Sequence, residues 1–186
     1  MERINSYKCN KGVIGRKSIA TIKMHRRYGW GIVSSLLFLP LSVQAVLIES
    51  LAVYKDEREL HVIANGESVR VIPIQLGFDP DGPKRWQGDG RTPEGIYRIS
   101  ARNPASQYHL SLRVDYPNFS DLQFAERYEL NPGGDIFLHG LPNQPNRPLG
   151  DYQESDWTEG CIAMSNEDIQ YLYKHVQLQT PIVINP

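Results

Sequence analysis

The sequence predicts a mainly β domain, built as a curved sheet or two packed sheets with two peripheral helices. Three observations carry that prediction. Short segments of alternating or β-branched apolar residues recur along the chain from residue 47. One pair of them is joined by Asn65-Gly66, the strongest short-range hairpin signal. Only residues 118–128 and 165–176 carry apolar side chains at helical spacing.

Taken in order, residues 47–54 are rich in apolar and β-branched side chains, and 60–64 and 69–74 form the two arms of the hairpin. His61 falls on that hairpin with no polar sequence neighbour to give it a task, and reads as an ordinary strand residue. Residues 78–95 are punctuated by glycine, proline and aspartate and read as a long loop, a kind that in compact domains is usually functional. Its acids do not have the spacing of a calcium-binding EF-hand loop. Residues 96–100 and 108–114 alternate like half-buried strands, and Tyr116-Pro117-Asn118 ends the second. The helix over 118–128 presents Phe119, Leu122 and Ala125 on one face. Residues 135–140 form a short buried strand ending in His139-Gly140, and 141–155, with three prolines, form a lid or side wall. Ser165 with Asp168 reads as a capping box opening a helix whose face is Ile169, Leu172, Tyr173 and Val176. Residues 181–184 close the sheet.

Charge and the N-terminus bound the function. The net charge of −1 is unevenly distributed: residues 1–45 hold eight Lys/Arg and one acid, leaving 12 basic and 20 acidic residues beyond. A body with a net charge of −8 is poorly suited to nucleic acid, whose binding rests on phosphate neutralisation. The basic block, an apolar run over 30–41 and the small residues of Val43-Gln44-Ala45 predict a signal peptide over 1–45, with Met24 as an alternative start. The remaining 46–186 is then one exported domain, with no stable membrane span after cleavage. Cys9 would leave with the signal segment, so Cys161 would stand alone in an oxidising compartment. Such a thiol is an intermolecular bridge or a reactive group.

Trp157-Thr158-Glu159-Gly160-Cys161-Ile162-Ala163-Met164 points to the second. A glycine before the thiol permits close backbone approach, and Ile162 and Met164 anchor the segment in the core. His139, 22 positions earlier, is the natural base if folding brings the two together, as cysteine nucleophilic catalysis requires. The histidine-first order differs from papain-like peptidases. Arg91, in the glycine-rich loop, is suited either to a substrate carboxylate or to a local acid such as Asp89.

The run of buried strand, His-Gly, loop and Thr-x-Gly-Cys-Ile-x-Met resembles the catalytic domain of the L,D-transpeptidases of bacterial cell walls. Residues 88–95 and 131–135 resemble the same family, and the likeness spans about 48–184. Ala163 departs from the arginine that many members carry there, while matching a branch with Trp-Thr-x-Gly-Cys-Ile-Ala. The resemblance implies acyl transfer on peptidoglycan stem peptides through a thioester at Cys161, with His139 as base and the Gly140 carbonyl, or a nearby group, fixing its tautomer. It implies an oxyanion hole from the N–H groups of Gly160 and Cys161, and substrate contacts from Arg91, Thr158 and His109. It implies no cofactor and no metal, stem peptides as partners with a wall-anchored protein as an alternative acceptor, and a place in the periplasm or cell wall. A hydrolase trimming wall-linked peptides through the same thioester is the alternative, and an inactive wall-binding module a more distant one. An ion pair with His139 is expected to lower the Cys161 pKa below its usual value of about 8.5. Carbapenems are the β-lactams that the resemblance suggests would acylate it.

Overall fold

The hairpin forms at Asn65-Gly66 because both residues adopt left-handed φ values, 53° and 74°, that match the twist of the flanking strands. It joins β2 (Glu59–Ala64) to β3 (Glu67–Pro73), and β2 also pairs antiparallel with β1 (Ser50–Tyr54). This computed structural model describes residues 47–186, so the expected signal peptide lies outside the described residues.

Beyond the meander the sheet is assembled from distant segments. The C-terminal strand β8 (Pro181–Asn185) lies parallel to β1 and antiparallel to β4 (Gly95–Asn103). A bulge at Ile99/Ala101 divides β4: its first half pairs with β8, its second with β5 (Ser111–Val114). Then follow β6 (Phe137–His139) and β7 (Ile162–Ala163), giving the order β3-β2-β1-β8-β4-β5-β6-β7. The chain leaving β3 then bridges Gln75 to Ala163 and Gly77 to Thr158, so the two ends of that order meet. Of the two expected arrangements, the curved sheet is the one observed.

Its concave side holds one apolar core. Leu51, Leu60, Ile72, Ile99, Leu112, Leu138, Ile162 and Ile182 are fully buried. Each such side chain contributes about 1.5–3 kcal/mol of transfer free energy. The two helices are held by their caps. Helix α1 (Phe119–Arg127) opens with a full capping box: Asn118 accepts from the N–H groups of Ser120 and Asp121, and Asp121 accepts from that of Asn118. Helix α2 (Asn166–His175) has half of one. Ser165 accepts from the Asp168 N–H, but the Asp168 carboxylate takes the Ser165 hydroxyl and Arg70 instead of closing the box. Ile169, Leu172 and Val176 are buried, as the spacing predicts.

Three expectations are corrected. The strand over 108–114 begins only at Ser111, because His109 turns into the left-handed region (φ 64°) with its N–H on Asn143 Oδ1. The strand over 135–140 shrinks to three residues for the same reason at Asp135 (φ 55°). His61 does have polar partners: Nε2 lies 2.9 Å from Glu59 Oε2, and Nδ1 lies 3.2 Å from Ser68 Oγ across the hairpin.

Candidate active site

The pairing of β6 with β7 sets the site. Leu138 lies opposite Ile162 and His139 opposite Ala163, in parallel register. Cys161 is two residues before Ala163, so by strand alternation it shares the face of His139. Fully buried Ile162 and Met164 pin the cysteine segment, and the Met164 N–H donates to the His139 carbonyl (3.0 Å). Two recesses meet at this pair. One, of about 410 Å³, is lined by Asn103, Tyr108, Ser111 and Phe137; the other, of about 480 Å³, by Lys84, Gln87, Gly133, Gly134, Trp157, Thr158 and Glu159. Tyr108, His139, Asp135 and Cys161 line both. A larger hollow beside Gln75, of about 580 Å³, gathers five carboxylates and Arg58 but neither His139 nor Cys161, so we assign no chemistry to it.

His139 is fixed in one orientation. Nδ1 lies 2.7 Å from the Gly140 carbonyl, which can only accept, so Nδ1 carries the proton and Nε2 keeps its lone pair. The rings of Tyr108 (4.5 Å between centroids) and Trp157 (5.6 Å) flank the imidazole. Trp157 is held in turn by donating to the Tyr152 carbonyl, from the 3₁₀ turn Leu149–Gln153 in the loop expected as a side wall. Gly140 suits its place sterically, since a Cβ there would lie 2.5 Å from Asn166 Oδ1, which accepts the Leu141 N–H.

The cysteine turn is shaped by Thr158. Its buried hydroxyl donates to the Cys161 carbonyl (2.7 Å) and accepts the Gly160 N–H (3.1 Å). Gly160 has φ 126°, and a Cβ there would stand 2.5 Å from the Arg91 carbonyl. The close approach that makes this glycine necessary is thus made by the chain's own loop. The Gly160 N–H is occupied, which leaves the Cys161 N–H as the freer of the two expected oxyanion donors.

Electrostatics overturn the expected ion pair. Burial drives the His139 pKa down to about 4, against the pull of its Gly140 hydrogen bond. Burial likewise pushes the Cys161 thiol up to about 11; the Phe137 N–H and the Lys84 charge oppose this, while Asp135 and Glu159 add to it. Water-poor surroundings disfavour both charged forms, so the resting pair is neutral thiol and neutral imidazole. The half-buried thiol donates to the Asp135 carbonyl at 3.5 Å.

Two expected substrate contacts lie elsewhere. Arg91 is directed at Asp79, 3.6 Å away, and does not line either recess. His109 faces α2, with Nε2 2.7 Å from the Gln170 amide. Thr158 does line the larger recess, beside its work within the turn. Tyr108 and Lys84 also line the cleft, and no motif in the sequence marks either; Trp157 is marked only by standing beside the Thr-x-Gly-Cys run. The potential metal ligands that cluster among the described residues are Glu57, in the turn before β2, and Glu59 and His61 on β2, none of which lines the cleft.

The family model of the YkuD L,D-transpeptidase catalytic domain matches residues 49–184. The chain belongs to this family. A curated relative, YafK of Escherichia coli K12, is 28% identical over 133 residues, covering 67% of this chain and 45% of the relative; its own description as an L,D-transpeptidase is provisional. The family fold is shared with two solved structures. Bd1075 of Bdellovibrio bacteriovorus has a TM-score of 0.52 and 28% identity, covering 77% of this chain and 50% of that one. The helical cell shape determining protein Pgp2 of Campylobacter jejuni has a TM-score of 0.56 and 24% identity, covering 74% and 47%. The chain spans about half the length of these relatives.

Proposed function

We propose that the domain is a cysteine acyltransferase acting on peptidoglycan stem peptides, through a thioester at Cys161. The observation that carries this reading is the fixed tautomer of His139: Nδ1–H is committed to Gly140, and Nε2 faces the task of a base on the same sheet face as the thiol. Membership of the L,D-transpeptidase family supplies the substrate class.

The chemistry follows from a neutral resting pair. A rotation about the Cys161 side chain turns the S–H from the Asp135 carbonyl toward Nε2. Sulfur then attacks the carbonyl carbon of the stem peptide as its proton passes to Nε2. Negative charge moves to the carbonyl oxygen, where the Cys161 N–H donates; such a donor is worth roughly 3 kcal/mol. The tetrahedral adduct collapses, the C–N bond breaks, and imidazolium returns the proton to the departing amine. A second amine, from another stem peptide or a wall-anchored protein, resolves the thioester in transpeptidation; water resolves it in hydrolysis. Export to the periplasm or cell wall is part of the same proposal, since the substrate is there.

The test is incubation with tetrapeptide-bearing wall fragments, with products identified by mass. Loss of terminal D-alanine with a new amide bond supports transpeptidation, and loss of D-alanine with uptake of water supports the hydrolase. Unchanged fragments, or equal products from Cys161→Ser protein, sink the reading.

A further inference from the structure

Glu57, Glu59 and His61 are the metal-ligating side chains that cluster among the described residues, and acyl transfer at Cys161 gives them no task. They recur at every second position, a spacing that puts side chains on one face of extended chain. One carboxylate oxygen of each glutamate and one imidazole nitrogen lie within 4.8 Å of one another. Glu59 Oε2 and His61 Nε2 are 2.9 Å apart. Two ligands on a tetrahedral ion, with bonds of about 2.0–2.1 Å, stand roughly 3.3 Å apart, so a small opening of this pair admits one.

The charge around the cluster is unbalanced. Glu57 has no ion pair among the described residues, and Glu59 pairs only with His61. The neighbouring cations are committed elsewhere. Lys55 Nζ donates to Glu94 and to the carbonyls of Gly82 and Thr92, which uses its three N–H groups. Arg58 turns to Asp156 and to the Lys55 carbonyl. Both glutamates line the hollow beside Gln75, where Asp56, Glu154 and Asp156 add to the negative field.

An independent observation in that hollow points to a ligand. Gln75, which lines it, is 7% exposed and gives Nε2 to the Gln153 carbonyl, while its buried Oε1 has no partner. Buried acceptors are seldom left so, and a hydrated cation carries the missing donor into the hollow.

The imidazole is oriented for ligation. Nδ1 lies 3.2 Å from Ser68 Oγ, and the Tyr54 ring packs edge-on against the histidine, 5.0 Å between centroids. A ligating histidine usually donates its other N–H to such an outer partner. Without a cation, Nε2–H donates to Glu59 and the Ser68 hydroxyl donates to Nδ1. Ligation moves the ring proton from Nε2 to Nδ1, where Ser68 accepts it, and the hydroxyl hydrogen turns outward. Neutral imidazole and ionised carboxylates therefore bind the ion without releasing a proton.

We propose that Glu57, Glu59 and His61 bind a first-row divalent cation of the zinc type, with water in the remaining position. Mixed imidazole and carboxylate donors favour that class over calcium and magnesium, which take oxygen ligands in larger number. The ion ties the turn before β2 to the strand and stands apart from the cleft.

The experiment titrates Zn²⁺ by calorimetry into the full chain and into Glu57→Gln, Glu59→Gln, His61→Ala and Ser68→Ala variants. Circular dichroism checks each fold, and the near-isosteric Glu→Gln pair carries the test if His61→Ala folds poorly. Binding at Cys9 or Cys161 is common to all five proteins and cancels in the comparison. Loss of a ligand is expected to weaken one Zn²⁺ site by at least about 100-fold, and Ser68→Ala to weaken it about tenfold. Ca²⁺ and Mg²⁺ in excess should leave that site's binding heat unchanged. Equal binding, or none, by wild type and the ligand variants overturns the site, as does displacement of Zn²⁺ by Ca²⁺. A loss confined to His61→Ala also overturns it, because a lone imidazole then holds an adventitious ion only. The readout is binding, so it holds whether or not the protein turns over wall peptides.

Discussion

Cys161 and His139 are each driven by burial toward their uncharged forms, and this shapes how the pair should behave. A resting ion pair would keep the thiol alkylatable well below neutrality. A neutral pair gives slow iodoacetamide modification at pH 7, with a rate that climbs through pH 9 and levels only near 11. His139→Ala should leave that curve almost in place while abolishing turnover, since the imidazole matters only once substrate is attacked. Cys161→Ser should also abolish turnover, and the double variant should be little worse than either single one. A covalent carbapenem adduct, expected at one per chain, should map to Cys161 by peptide mass and be absent from Cys161→Ser protein. The histidine has a stability signature as well. Its folded pKa lies below the ordinary 6.5, so between 6.5 and about 4 the unfolded chain binds a proton that the folded one refuses. Stability therefore falls as pH drops through that window, by roughly 3 kcal/mol in full. Urea unfolding at pH 7 and pH 4.5 should show the loss, and His139→Gln should reduce it.

At the scale of elements, the turn before β7 is the piece on which the site depends. Thr158 satisfies one N–H and one carbonyl of that turn from a buried position. Thr158→Val keeps the shape and strands both groups, for which the expected cost is about 1–3 kcal/mol. Activity should fall further than stability, because the turn aims the nucleophile. Gly160→Ala meets both a left-handed φ and the Arg91 carbonyl, and should be worse than Thr158→Val in thermal melts. Helix α1 provides a contrast, since none of its residues lines either recess. Asn118→Ala removes a cap worth about 1 kcal/mol and should lower the melting temperature while leaving any turnover by the folded protein intact.

The whole molecule joins a regular meander, β1 to β3, to a second half built around short strands and long loops. The bridges from Gln75 and Gly77 to the cysteine segment couple them, so the sheet closes across the site. The Tyr97 hydroxyl ties α1 to β4, donating to Asp121, the residue that completes the α1 cap. Such coupling predicts one cooperative unfolding transition for residues 46–186, followed equally by tryptophan fluorescence and by far-ultraviolet circular dichroism. The exported protein is expected to begin at Val46 by N-terminal sequencing; an intact N-terminus would remove the export reading.

What the sequence alone determined was local or strongly patterned. Asn65-Gly66 specifies a hairpin because few other dipeptides tolerate two left-handed residues. The period of Ile169, Leu172 and Val176 specifies the buried face of α2, and Gly-Cys followed by the apolar anchors Ile162 and Met164 marks the thiol as one held at a core's edge. The pairing of distant segments was decided only in three dimensions. Parallel contact between β6 and β7 gives His139 and Cys161 a common face, and nothing in a 22-residue separation encodes that register. Arg91 and His109 carried suitable chemistry but face Asp79 and Gln170, because the loop geometry around each turns it away from the recess. Lys84 carries no mark in the sequence that sets it apart from other lysines; its burial with Asp89 is a product of the fold. The inverted electrostatics have the same origin. Proximity of base and thiol suggests a charged pair, whereas desolvation, a property of everything packed around them, favours the neutral one.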